Sequence, residues 1–157
     1  MPIIWPPGFA PDRVAARVSN EIAIAAPPEI VWAWLIRAAD WPVWYPNSAR
    51  VRIADGRTEL SPHVRFTWQT FGVTVRSRVR EFQAPQRIAW DAQAFLLDAY
   101  HAWLIEWRPG GCWVLTEEHQ NGLTARAQAF FMPNRMYRGH ALWLERLKAK
   151  AEAGAPP

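Results

Sequence analysis

Four histidines and one cysteine are the side chains of this chain best suited to metal, nucleophilic or acid–base chemistry: His63, His101, His119, His140 and Cys112. Their spacing narrows the choice. There is no His-x-x-x-His or Cys-x-x-Cys pair. Glu117 and His119 could share a strand face, but two ligands fall short of a tetrahedral zinc site, so no metal is expected. Cys112 follows Gly110-Gly111 with no histidine close by, and no Gly-x-Ser-x-Gly elbow occurs, so Cys112 reads as a buried or edge thiol rather than a nucleophile. Glycine-rich phosphate loops are absent from the sequence, and no cofactor is expected. Acid–base chemistry stays open. His101 has the strand parity of Trp103, Ile105 and Trp107, and an imidazole in an apolar cavity can polarise or deprotonate a ligand hydroxyl. Tyr137 is a second candidate for moving protons, and Glu117 and Asp91 are further ionisable groups near the same interior.

The aromatic side chains carry the stronger signal. Tryptophan occurs 11 times. Trp68, Trp90, Trp103 and Trp107 have inward parity on their strands, and Phe130, Phe131 and Tyr137 lie on a helical segment that would face them. Such rings bury large areas with few rotamers and carry N–H or O–H handles, so the set is either packed core or the wall of a ligand cavity.

The elements that must position these groups can be read from periodicity. Residues 1–17 hold Pro2, Pro6, Pro7 and Pro11 and read as an extended N-terminal arm. Residues 18–25 alternate as a strand. Pro27-Pro28-Glu29 then opens a helix, because proline suits a first turn and a carboxylate suits the positive end of the dipole. Asp40 to Asn47 is too rich in proline to continue that helix. Strands follow over 50–54, 63–71, 73–82, 87–96, 100–108 and 112–120, divided by short turns, which makes an antiparallel meander. Residues 124–153 are helical by three- and four-residue spacing, with a kink or break expected near Met132 because Pro133 lacks a backbone donor. Residues 18–153 therefore read as one domain, and residues 154–157 as a disordered tail.

Composition agrees with this and excludes other classes. At 157 residues, half of them apolar, the chain can bury a sizeable single core, and one cysteine excludes a disulfide scaffold. No apolar run approaches the roughly 18 residues of a membrane span, and the first residues lack the pattern of a signal peptide, so a cytoplasmic location is expected. The net charge of +4 raises the question of nucleic acid. Arg76, Arg78 and Arg80 alternate with Val75, Ser77 and Val79, which reads as the solvated outer face of a strand; no basic run or RNA-binding aromatic signature accompanies it. Nucleic acid is not the expected partner.

Three segments resemble a known family. Ile24 to Trp32 (Ile-Ala-Ala-Pro-Pro-Glu-Ile-Val-Trp) is similar to the strand-to-helix signature of the START and birch-pollen-allergen-like superfamily, in its bacterial polyketide cyclase/dehydrase and lipid-transport branch. Asp40-Trp41 and Trp44-Tyr45-Pro46 resemble the element that follows, and Leu144 to Glu152 its closing helix. The resemblance implies an α+β helix-grip fold: a curved seven-stranded antiparallel sheet around a long C-terminal helix, with a short helical segment after the first helix and a cavity between sheet and helix. It implies a small hydrophobic ligand, aromatic, polycyclic or lipid-like, as partner. The implied lining is Trp68, Trp90, His101, Trp103, Phe130, Phe131 and Tyr137, with Trp41, Trp44 and Tyr45 near the mouth. Two further readings go with it: a polyketide-type cyclase or aromatase using His101 or Tyr137 as acid and base, and a macromolecular interaction module using the arginine face.

Overall fold

The computed structural model describes residues 2–157. Its seven strands are β1 (Ala16–Ile24), β2 (Ser48–Ile53), β3 (Arg65–Thr70), β4 (Val73–Gln83), β5 (Arg87–Ala94), β6 (Leu97–Arg108) and β7 (Gly111–Asn121). They form one antiparallel sheet in the order β1-β7-β6-β5-β4-β3-β2. Strands β2 to β7 follow one another through hairpins, while β1 joins the far edge beside β7. The helices are α1 (Pro28–Ile36), α2 (Trp41–Trp44), α3 (Leu123–Phe131) and α4 (Arg135–Ala153), with 3-10 turns at Ala38–Asp40 before α2 and at Ala54–Gly56 after β2. This is the helix-grip arrangement expected from the sequence.

Local chemistry explains the boundaries. Three hairpin tips use left-handed backbone: Phe71-Gly72 (φ 49° and 79°) turns β3 into β4, Leu96 (φ 52°) turns β5 into β6, and Gly110 (φ 83°) turns β6 into β7. The expected strand through residue 96 therefore stops at Ala94, and β6 starts earlier, at Leu97. The C-terminal helix breaks at 132–134, where Pro133 was expected to break it, and the two pieces have different burial. Ala125 is the one fully buried residue of α3, whereas α4 buries His140, Trp143, Leu144, Leu147 and Ala151.

The concave side of the sheet holds an aromatic core. Trp41, Trp90, Trp103 and Trp143 are its largest fully buried side chains, and Trp143 of α4 meets Trp41 and Trp103 edge-to-face at 5.0 and 5.1 Å. Rings so arranged satisfy each other's quadrupoles as well as burying area.

The convex side is also covered, which sequence periodicity did not suggest. The N-terminal arm lays Ile3, Trp5 and Phe9 against Ala89, Tyr100 and Ala102. Trp5 stacks on His119 at 3.4 Å, the Phe9 carbonyl lies 2.7 Å from His119 Nδ1, and Asn121 Nδ2 donates to the Gly8 carbonyl at 2.9 Å. This corrects the expectation for His119 and Glu117: their face of β7 is the convex one. The tail also differs from the disordered end expected. Trp34 Nε1 donates to the Gly154 carbonyl and Arg37 Nη1 to the Pro157 carbonyl, both at 2.7 Å. On the convex face of β4, Arg76 and Arg80 are exposed and Arg78 half-buried. Arg80 pairs with Asp91, whose other oxygen accepts the Arg78 N–H at 2.9 Å. Asp91 therefore does not reach the interior.

Candidate functional site

Beneath α4, at the end of the sheet marked by the β3–β4 tip, a cavity lies between the two layers. Trp68, Val75 and Trp90 form its apolar wall on β3, β4 and β5. Leu97, Ala99 and His101 come from β6, and Glu118 and Gln120 from β7. Phe71 at the hairpin tip and Gln128 of α3 close it from the sides, and His140 and Trp143 of α4 form its roof. The free space is about 30 Å³, enough for one or two waters. The aromatic rings fill most of the interior.

The lining residues carry buried polar atoms that no protein group satisfies. Thr70 Oγ1, Trp90 Nε1, Gln120 Oε1, His140 Nδ1 and Trp143 Nε1 are buried without a hydrogen-bond partner, and all five belong to residues lining the cavity. A buried polar atom left unpaired costs about 1–3 kcal/mol, so five on one wall describe a surface complementary to something polar. Trp68 is satisfied within the protein: its Nε1 donates to Ser77 Oγ at 3.3 Å.

Three ionisable side chains meet at one end. His101 faces Glu118 across the β6–β7 pairing, and its Nδ1 lies 3.3 Å from Glu118 Oε2. His140 Nε2 lies 3.3 Å from the same oxygen, coming from α4. The two imidazoles are stacked, 4.7 Å between centroids and 4° between planes. Thr116 Oγ1 is 2.7 Å from His101 Nε2, and Gln120 Nε2 donates to Glu118 Oε1 at 2.6 Å.

Burial drives the His101 imidazole down to about 3, against the pull of Glu118 and helped by its neighbour His140. It is neutral at pH 7. Burial pushes Glu118 up, but the His140 contact, the two imidazoles and the Gln120 amide outweigh it and bring the carboxyl to about 2. Glu118 is ionised. Tyr45, whose hydroxyl donates to the Gly139 carbonyl at 3.2 Å and accepts from Asn47 Nδ2 at 3.0 Å, is pushed well above its ordinary value by burial.

The donor atoms of His101, Glu118 and His140 lie within 4.8 Å of one another, close enough to raise the question of a metal ion. The carboxylate is well placed, because 3.3 Å is close to the spacing of two ligands on one zinc ion. The imidazoles are not. An imidazole binds a metal in its own plane, and two stacked parallel rings have no shared in-plane point at bonding distance. The geometry suits proton exchange.

Of the residues named from sequence, Trp68, Trp90 and His101 line the cavity. Trp41, Tyr45 and Trp103 are instead fully packed core: Tyr45 stacks on Trp143 at 4.5 Å, and Trp41 Nε1 donates to the Leu35 carbonyl at 3.0 Å. Trp44 is buried against the outer side of α4, away from the cavity. Phe130 and Phe131, on α3, are 80% and 75% exposed, because the break at Pro133 takes that segment out of line with the stripe that α4 buries, and Tyr137, in the first turn of α4 ahead of that stripe, is 55% exposed. Trp107, 68% exposed, keeps inward parity but lies at the end of β6 beyond the core. Glu118, Gln120, His140 and Trp143 were missed. Parity with Cys112 and Val114, both buried, would have placed Glu118 and Gln120 inside.

Over residues 15–152 the sequence matches the family described as "Polyketide cyclase / dehydrase and lipid transport". Among solved structures, a hypothetical protein of Helicobacter pylori, jhp0584, is 33% identical over 96% of each chain, with a TM-score of 0.89. The di-domain aromatase/cyclase BexL from the BE-7585A biosynthetic pathway is 21% identical with a TM-score of 0.71; 90% of this chain spans 51% of that one. TTHA0849 of Thermus thermophilus is 15% identical over 88% of this chain and 98% of its own, also at 0.71. Curated proteins gave no match. Among the described residues, no helix is long and apolar enough to cross a membrane.

Proposed function

We propose that this chain, which belongs to the polyketide cyclase/dehydrase and lipid-transport family, binds a small hydrophobic ligand, aromatic or polycyclic and bearing polar substituents, in the cavity under α4. The observation that carries the reading is the set of five unpartnered polar atoms on an otherwise aromatic wall. Two indole N–H groups offer donors, the Gln120 carbonyl and His140 Nδ1 offer acceptors, and Thr70 offers either. Wholly apolar lipid would leave all five unpaired. The ligand enters by displacing α3, of which only Ala125 is buried, and the Phe71 ring beside it, since the closed space holds only water. Mass spectrometry of the natively purified protein tests this: a small molecule retained at one per chain is expected. Supporting titration with nitrobenzene should quench tryptophan emission to a stoichiometric end point. A protein that retains no molecule and shows no saturable quenching overturns the reading.

A second reading, a cyclase or aromatase, is favoured by the ionisable trio at the cavity's end. Two related folds, StfQ and BexL, are named as aromatase/cyclase di-domains. At 16% and 21% identity that likeness concerns the fold, so the reaction has to be argued from this chain's own residues.

A further inference from the structure

We propose that His140, oriented by Glu118, is the base that accepts a proton from an acidic hydroxyl of the bound ligand. This rests on the ligand-binding reading above. It assigns the proton chemistry to His140 rather than to His101, which sequence parity had singled out.

The assignment follows from which nitrogen is free. Both His101 nitrogens are engaged, Nε2 with Thr116 Oγ1 at 2.7 Å and Nδ1 against Glu118 Oε2 at 3.3 Å. Burial also keeps that ring neutral. His140 has one engaged nitrogen and one free: Nε2 faces the same carboxylate oxygen at 3.3 Å, and Nδ1 is buried with no partner in a residue of the cavity roof. A carboxylate beside Nε2 fixes the tautomer with its proton there, which leaves the lone pair on Nδ1. The same carboxylate stabilises the imidazolium that forms when Nδ1 takes a second proton.

The step balances without an outside reagent. The ligand O–H bond breaks, its electron pair stays on oxygen, and an N–H bond forms at His140 Nδ1. His140 gains one positive charge against the Glu118 carboxylate, and the ligand gains one negative charge. That oxyanion meets the unpartnered indole N–H groups of Trp90 and Trp143 and the Thr70 hydroxyl. Reversal returns the proton. The groups facing the pair are His101, Thr116 and Gln120 from the sheet and Tyr45 just past α2, whose hydroxyl already donates to the Gly139 carbonyl. A hydroxyl flanked by an electron-withdrawing group on an aromatic or enolic frame is the chemical class this site takes.

The test uses 4-nitrophenol, whose anion alone is yellow, with nitrobenzene as a control of similar shape lacking the proton. At about pH 6, excess protein should raise the phenolate absorbance at least threefold over free dye while quenching tryptophan emission. His140→Phe, which also removes one polar atom of the wall and so weakens binding, should lose the colour at protein concentrations where quenching shows the dye still bound. Glu118→Gln, which leaves both imidazoles in place, should lower the coloured fraction severalfold, and it decides the matter where the first variant does not fold. Dye that binds without colour, or colour undiminished in either variant, overturns the proposal. Nitrobenzene quenching in those cases leaves the ligand-binding reading standing, and failure of both compounds to bind removes the two together.

Discussion

Replacing Trp103 with alanine separates packed core from cavity wall. The ring is fully buried, stacks on His101 at 5.4 Å and meets Trp143 edge-to-face at 5.1 Å, yet it does not line the cavity. A large aromatic side chain buries roughly 150–250 Å², which at about 25 cal/mol per Å² is about 4–6 kcal/mol. Alanine retains part of that area, so a loss of about 3–5 kcal/mol is expected. At this chain length each kcal/mol lowers Tm by about 2–4 °C, so calorimetry should record a fall of roughly 6–20 °C. Nitrobenzene affinity, measured well below the new Tm, should change by less than about twofold, whereas Trp90→Ala, which alters the lining, should change it severalfold. A Trp103→Ala protein that melts within about 2 °C of the parent and binds nitrobenzene severalfold more weakly would refute the reasoning.

Acidification should destabilise the fold before ordinary carboxylates titrate. The unfolded His101 takes a proton near 6.5 while the folded one stays neutral to about 3, so stability present above 6.5 is lost as pH falls, by up to about 1.4 kcal/mol per pH unit. Glu118, held at about 2 against its ordinary 4.5, adds loss of the same sign below about 4.5. Denaturant midpoints from pH 7 to 5 should fall, and His101→Gln should flatten that slope; equal slopes would refute the assignment. Gly139→Ala puts a carbon 2.4 Å from the tip of the Phe71 ring, which must swing aside, so stopped-flow nitrobenzene uptake should accelerate severalfold at modest cost in Tm. Replacing Arg76, Arg78 and Arg80 together by glutamine should cost only about 1 kcal/mol in chemical denaturation, since the one pair lost, Arg80 with Asp91, is partly exposed. A larger loss would mean that this face is not the solvent side.

The meander and the helix break were legible because alternation and proline act locally. The β4 arginines alternate with Val75, Ser77 and Val79, and the alternation alone assigns them to the outer face, where Arg76 and Arg80 are exposed. β6 was harder: from Ala99 to Ile105 every residue is buried, because Trp5 and Phe9 cover one face while Trp90 and Trp143 cover the other. A strand buried on both sides has no alternation to read. His140 was out of reach for another reason: its role depends on α4 crossing β7 at Glu118, a contact between residues far apart in the chain that no local pattern encodes. The placement of Trp41, Trp44 and Tyr45 near a mouth rests on resemblance alone, whereas here Trp41 and Tyr45 pack against Trp143 as core and Trp44 lies against the outer side of α4.

The strand order has a consequence for synthesis. β1 pairs with β7, from Ala16 opposite Gln120 to Ile24 opposite Cys112, so the first strand of the sheet has no partner until the last has left the ribosome. At translation rates of about 5–20 residues per second that delay is on the order of 5–20 s. During it β2 to β6 can zip through short hairpins, while the apolar side of β1, with Val18 and Ile24, waits exposed. Closure of the sheet is therefore non-local and late, which places the chain among slow folders. Glu21 and Arg17, on the opposite side of the strand, discourage it from pairing with a second nascent chain in the interval.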